Sequence, residues 1–286
     1  MNTSRRITSV VAVLTLLTLA GCNITINSVE TSALRTERLN IPWPSNSSQG
    51  WELELDPGAA SIQANTGGDA MVNGTIEYNV DQWRPMVATG DNRTVISQNQ
   101  FNGIPPLNSR NDWTLNLGGG VPITLTVNAG AIHGTWELGG VALRAVDWKQ
   151  GAADTTLRFS KPNPATMDYL NIETGASNMS VEGLSNLNVS EGRITISAGT
   201  LLLRFNGTLE RDLTINLQGG AAAVTIDPGG NAVQMIKQQS LIVVSSGNWT
   251  QYEDTYNSPR WDSTTGHKVT VKVNLGAASV NLVSGE

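Results

Sequence analysis

From Trp51 to the C-terminus the apolar residues fall at every second position, in short runs broken by glycine, and no apolar face at helical spacing is sustained. Such alternation predicts strands with one buried side. The pattern also recurs. Leu53-Glu-Leu55-Asp-Pro-Gly58-Ala-Ala-Ser-Ile62 returns as Leu115-Asn-Leu117-Gly-Gly-Gly120-Val-Pro-Ile123 and as Val271-Lys-Val273-Asn-Leu-Gly276-Ala-Ala-Ser-Val280. Shorter versions are Leu170-Asn-Ile172-Glu-Thr-Gly175, Leu187-Asn-Val189-Ser-Glu-Gly192, Ile194-Thr-Ile196-Ser-Ala-Gly199 and Ile215-Asn-Leu217-Gln-Gly-Gly220.

A unit of alternating aliphatics followed by a glycine corner, returning at irregular intervals often near 20 residues, predicts a solenoid. Each rung buries its apolar side only when a neighbour stacks on it. Both aliphatics of a Leu-x-Leu point to one side of a strand. Rungs stacked ~4.8 Å apart would therefore line an interior column of Leu, Ile and Val, with Thr, Asn, Ser and Gln outside. Glycine suits the corners because it accepts positive φ, and Asp56-Pro57-Gly58 and Asp227-Pro228-Gly229 read as turns. The expectation is an all-β chain, a single-stranded β-helix-like solenoid. The alternative is an antiparallel β-sandwich, whose strands need not repeat a Gly-Ala-Ala-Ser corner.

The first 22 residues are patterned differently. Arg5 and Arg6 precede an apolar run from about Val10 to Ala20, which is shorter than the ~20 apolar residues of a bilayer crossing. The run ends in Leu19-Ala20-Gly21-Cys22, which resembles the lipobox of bacterial lipoproteins; Cys22 is the one cysteine in the sequence. The resemblance implies cleavage before Cys22 and a covalent diacylglyceryl lipid on its sulfur. Two acyl chains hold a protein firmly on a membrane, since each buried CH₂ contributes ~0.8 kcal/mol. Residues 23–49, with a charged stretch and then Ile41-Pro42-Trp43-Pro44, read as a tether whose last part can dock as an extended strand. Residues 50–112 and 113–286 follow as an N-terminal β segment and a longer β-solenoid domain.

Charged residues make up 15% of the chain and the net charge is −6. Without clustered Lys and Arg there is no footprint for nucleic acid.

The closing residues Gly247-Asn-Trp249, Tyr256-Asn-Ser-Pro259, Trp261-Asp262, Val269-x-Val271-x-Val273 and Gly276-Ala-Ala-Ser279-Val280-Asn-Leu282 resemble the toastrack or adhesin-like β-repeat family. That family includes the C-terminal domain of LiaF-type envelope stress proteins and many bacterial lipoproteins. Leu53 to Ile62, Gly74 to Tyr78, Trp83-Arg-Pro85 and Trp113-Thr-Leu115 resemble an N-terminal toastrack segment, although Gly58-Ala59-Ala60 and Gly175-Ala176-Ser177 depart from the family's Gly-Ala-Gly turn. The resemblance implies a β-helix-like scaffold and supplies no catalytic residues.

Independent chemistry is sparse. His133 and His267 sit beside glycines in no nucleophile motif, and no His-x-x-x-His or Cys-x-x-Cys offers zinc spacing. Gly67-Gly68-Asp69 is a lone fragment of a calcium-binding repeat and reads as a turn. A glycosidase needs two carboxylates across a cleft; Asp147, Asp154, Glu173 and Glu182 are the candidates, and most are expected to be solvated. No cofactor is implied beyond the lipid.

Eight tryptophans outnumber the Tyr and the Phe. Most are expected to fill rung ends, but Trp249, Tyr252, Tyr256 and Trp261 cluster with polar residues and read as a recognition surface. The sequence thus predicts a non-enzymatic, extracytoplasmic lipoprotein that displays a β-solenoid for adhesion or envelope stress sensing. Its partners would be the membrane, through the lipid, and an envelope protein or polysaccharide. The alternative is a carbohydrate-binding module, and an envelope hydrolase ranks below both. Open solenoid ends would favour self-association unless capped.

Overall fold

A computed structural model describes residues 30–45, 50–99, 107–239 and 241–284. The signal peptide, lipobox and Cys22 expected from the sequence lie outside these residues. The described strands are β1 (Arg35–Ile41), β2 (Trp51–Thr66), β3 (Val72–Tyr78), β4 (Met86–Gly90), β5 (Arg93–Ser97), β6 (Asn111–Leu117), β7 (Ile123–Glu137), β8 (Leu143–Arg158), β9 (Tyr169–Glu182), β10 (Glu191–Arg204), β11 (Leu213–Asp227), β12 (Val233–Lys237), β13 (Ile242–Ser245), β14 (Thr250–Tyr252), β15 (Thr255–Asn257) and β16 (Val269–Leu282).

The long strands β2, β7, β8, β9, β10, β11 and β16 stack in that order, each parallel to the next, as the rungs of a β-solenoid. Leu53, Leu125, Val146, Leu170, Gly192, Ile215 and Val271 align in one interior column, and Leu55, Val127, Trp148, Ile172, Ile194, Leu217 and Val273 in the next. All but the glycine are buried core residues.

Each rung bends once, and the bend is written in the parity of the buried positions. In β7 the inward residues are Ile123, Leu125 and Val127, then Ile132 and Trp136; the switch from odd to even falls at Gly130-Ala131. In β9 Leu170, Ile172 and Thr174 give way to Ser177, Met179 and Val181 across Gly175-Ala176. A period-two strand that keeps its apolar side inward round a corner must shift by one residue there. Small residues are needed because neighbouring corners nearly touch: a Cβ on Gly151 would stand 2.5 Å from the Gly130 carbonyl oxygen, and one on Gly175 2.8 Å from that of Gly151. Gly219 is more constrained, with φ +148° and a Cβ position 1.8 Å from Ile196 O.

Successive residues of the first column are 21 to 24 positions apart from Leu125 to Ile215, but 72 separate Leu53 from Leu125 and 56 separate Ile215 from Val271. The two long intervals build the ends. At the N-terminal end β5 covers the first half of β2 and β6 the second, backed by β4 and by β3 and β1. At the C-terminal end β12 covers the first half of β16 and β13 the second, with β15 and β14 beyond β12.

Several expectations change. The tether assigned to 23–49 contains β1, which pairs along its length with β3, because Leu39 and Ile41 alternate inward. The strand ends at Ile41, the first residue of Ile41-Pro42-Trp43-Pro44, whose Trp43 packs against the core. The division at 112/113 cuts through β6. Leu115 to Gly120 is part of the N-terminal cover, while the rung at this level is Ile123–Glu137. Leu187-Asn-Val189 belongs not to a rung but to a 3₁₀ turn, Leu184–Leu187, and a single bridge from Val189 to Met167. Asp56-Pro57-Gly58 is a corner within β2, whereas Asp227-Pro228-Gly229 is a true turn in which Asn231 N donates to Pro228 O at 2.8 Å.

Candidate functional site

The outer surface of the first leg carries Asp147, Asn171 and Glu173, since these positions alternate with the buried Val146, Trp148, Leu170 and Ile172. Asn171 Nδ2 donates to Asp147 Oδ1 at 2.9 Å and to Glu173 Oε1 at 3.2 Å, and Lys149 Nζ sits 3.2 Å from Asp147. The two carboxylates are thus bridged on an open face rather than set across a cleft. Asp154 and Glu182 lie on the second leg, where Asp154 faces His133 at 3.5 Å, both exposed, and Glu182 pairs with Arg158 at 3.2 Å. The structure therefore brings together one pair of the four carboxylates and separates the others.

Along the second leg the in-register column Glu137, Arg158, Glu182, Arg204, Asp227 alternates in sign. Parallel stacking places Arg158, Glu182 and Arg204 each beside two charges of opposite sign, and Glu137 and Asp227 beside one. His267, in a loop as expected, has Nδ1 3.3 Å from Asp212 Oδ1. Lys268 N donates to the same oxygen, and this backbone hydrogen bond holds the Asp212 carboxyl below its ordinary value.

The expected aromatic recognition surface is divided. Trp249 and Tyr256 are each only 5% exposed: Trp249 Nε1 donates to Val283 O at 2.8 Å, and Tyr256 is on β15 against β12. Trp261 is half-buried, with Lys268 Nζ 4.6 Å from its ring centroid, and Tyr252 is 61% exposed on β14. An alternating strand that caps a solenoid must turn one side inward, which removes half of such a cluster. Trp51, Trp83, Trp113, Trp136 and Trp148 are also buried. Trp136 and Trp148 contact each other, and Trp148 Nε1 donates to Gln150 Oε1 at 2.9 Å, extending to Thr174 and Ser177.

A concave site lies where the N-terminal cover meets the corners. A cleft of about 810 Å³ is floored by Gly58, Ala59, Ala129, Gly130 and Ala131 and walled by Asp56, Asn128, Lys149, Trp83 and Asn99. The floor is flat because it is built of glycine and alanine, and it faces open space: a Cβ on Gly58 would meet nothing within 4 Å. Asn128 Nδ2 donates to Asp56 Oδ1 at 3.0 Å and to Glu54 Oε1 at 3.1 Å. Burial pushes the Asp56 carboxyl above its ordinary value, opposed by the Asn128 hydrogen bond. Gln98, from the other wall, is held by Trp83 O and Asn111. Asp56, Gly58 and Ala59 had a sequence signal as corner residues and Trp83 as part of the toastrack resemblance, but nothing singled out Asn99, Asn128 or Lys149.

Among the described residues no cluster of three or more His, Cys, Asp or Glu is placed to hold a metal ion, and no helix is long and apolar enough to cross a membrane.

A family model, that of the N-terminal domain of toast_rack, DUF2154, aligns with residues 30–182, which hold the N-terminal cover and the first rungs. The chain belongs to the toast_rack family. Its family segment begins just before β1 and ends with β9, so β1 is included and the aligned region runs across the 112/113 division. Solved structures of similar shape include a proposed cell adhesion protein from Clostridium sporogenes, with 14% identity over 87% of this chain and 98% of that one at a TM-score of 0.48. A proposed adhesin from Bacteroides fragilis has 11% identity over 87% and 97%, at a TM-score of 0.42. A proposed lipid-binding protein from Parabacteroides distasonis has 9% identity over 91% and 97%, at a TM-score of 0.33. No curated protein matches the chain.

Proposed function

We propose that this toast_rack chain is a non-enzymatic, extracytoplasmic lipoprotein, anchored by a diacylglyceryl group on Cys22, whose solenoid adheres to an envelope protein or polysaccharide. The observation that carries the reading is the division of labour along the rungs. Bulky side chains fill the interior, while on the outside of the first leg the column Thr126, Asp147, Asn171, Arg193, Asn216 and Lys272 is polar throughout, offering a long regular surface. The histidines and carboxylates weighed as catalytic are spread over open faces, paired with acidic, basic or amide side chains. The anchor rests on Leu19-Ala20-Gly21-Cys22. Incorporation of labelled palmitate that disappears in Cys22→Ala, together with protease access from outside intact cells, is the expected result. Unlabelled wild-type protein would remove the anchor from the account.

A carbohydrate-binding reading is favoured by one observation, the corner cleft, which sets a carboxylate, amides and a Trp83 wall over a flat floor. Calorimetric titration with envelope glycans tests it. Binding that falls in Asp56→Asn and Asn99→Ala would support this reading, and no heat with any glycan would remove it.

A further inference from the structure

The large apolar side chains that remain exposed are not scattered. Among the described residues, Leu34, Met86, Val87 and Leu107 belong to the N-terminal cover, and Leu241, Val243 and Tyr252 to the C-terminal one; Tyr169 is the exception on a side face. Scattered exposure needs no explanation, but segregation at two ends with open strand edges does.

The two ends are defended differently. On the second leg the outermost N-terminal strand is β1, which carries Arg35, Glu37 and Arg38, with Glu77 and Arg110 behind it. Charges of this kind deter edge pairing. The outermost C-terminal strand on the same leg is β13, Ile242-Val-Val-Ser245, and no described strand pairs with its other edge. It has no charge, and neither do the residues behind it on β16, Ala278, Ser279, Val280 and Asn281. Leu241 and Val243 are each 72% exposed there. On the first leg β4 is uncharged, but Gly90 is in register with Arg93, which is paired with Glu52, and Asp91 follows directly.

We infer that the C-terminal end is a self-association surface, on which β13 pairs antiparallel with β13 of a second copy. Its occupant follows from the charge pattern. A head-to-tail stack would set β13 against the charged β1, whereas a two-fold, tail-to-tail contact sets the uncharged edge against itself and closes after two copies. A register centred on Val243 brings the two Val243 side chains face to face and gives the free N–H and C=O groups of both edges partners. The contact deepens the adhesion reading, on which its biological meaning rests: an anchor at the N-terminal end would leave β13 pointing away from the membrane, available to a copy on a facing surface.

Sedimentation velocity on residues 23–286, which retain every described strand, tests the contact without reference to the anchor. The wild-type chain is expected to form a concentration-dependent dimer. Val243→Lys should weaken it at least about tenfold, with unchanged thermal unfolding because the side chain is exposed, and Val87→Lys should leave it intact. Leu241→Lys, outside the strand, serves should Val243→Lys unfold. A wild-type chain that stays monomeric, a dimer that survives both Val243→Lys and Leu241→Lys, or open-ended oligomers dispersed by Val87→Lys would each overturn the inference. Loss of labelling at Cys22 would affect only the anchor.

Discussion

Trp136 and Trp148 meet edge to face between adjacent rungs, their ring centroids 4.8 Å apart and their planes at 86°. The first lies on the second leg of β7 and the second on the first leg of β8, so the contact spans the interior and ties the two legs together. Truncating either fully buried ring leaves a cavity where the two legs converge. Trp148→Ala is expected to cost about 3–5 kcal/mol, read from the urea midpoint at unchanged slope.

Beside this pair, Trp136 Nε1 and Thr155 Oγ1 are buried without a hydrogen-bond partner in the protein. A buried hydroxyl left unpaired costs about 1–3 kcal/mol. Thr155→Val keeps the shape and removes the hydroxyl, so chemical denaturation should show a gain of that order. A loss would mean that the hydroxyl has a bound partner such as an internal water.

Two corner glycines should respond oppositely to alanine. Gly219→Ala drives a Cβ into Ile196 O and forces a strained φ, costing about 1–3 kcal/mol from strain alone. At Gly276 the nearest atom to a Cβ is 3.7 Å away. Gly276→Ala should be neutral, or stabilising by about 0.4–1 kcal/mol through the unfolded chain. Paired thermal melts distinguish them.

The charge ladder fixes register more than it adds stability. Arg204 Nε is 2.8 Å from Asp227 Oδ2, and Arg204 is also in register with Glu182. Exposed pairs contribute about 0.2–1 kcal/mol. Arg204→Glu sets three carboxylates in a row and should lower stability by about 1 kcal/mol at low salt, an effect that shrinks in concentrated NaCl as screening increases.

Asp56 gives a pH dependence of definite sign. Burial raises its carboxyl above 3.8, so the folded chain keeps the proton where the unfolded chain has lost it. This contribution therefore favours folding below pH 3.8 and is lost as pH rises from there through the folded value. Asp56→Asn should remove that fall, leaving a flatter profile over the window in pH-resolved unfolding.

The rungs were legible because alternation and glycine corners act locally: Leu53-x-Leu55, Leu170-x-Ile172 and Val271-x-Val273 are buried in register as read. The covers were not legible, because β1, β3, β6 and β12 alternate just as rungs do, and only their partners distinguish them. Leu115-x-Leu117 was misassigned for that reason. The division of the aromatic cluster was hidden for the same reason, since burial of Trp249 and Tyr256 depends on what β15 and the chain end pack against. The corner cleft is assembled from rungs separated by 72 residues and an inserted cover, a juxtaposition with no local signature.

The most direct test of the account is to incubate residues 23–286 with isolated envelope material from the source cell and follow both co-sedimentation and the release of soluble fragments. The account predicts saturable binding to an envelope fraction with no release. Release of fragments that scales with the purified protein would contradict it and make the chain an envelope hydrolase.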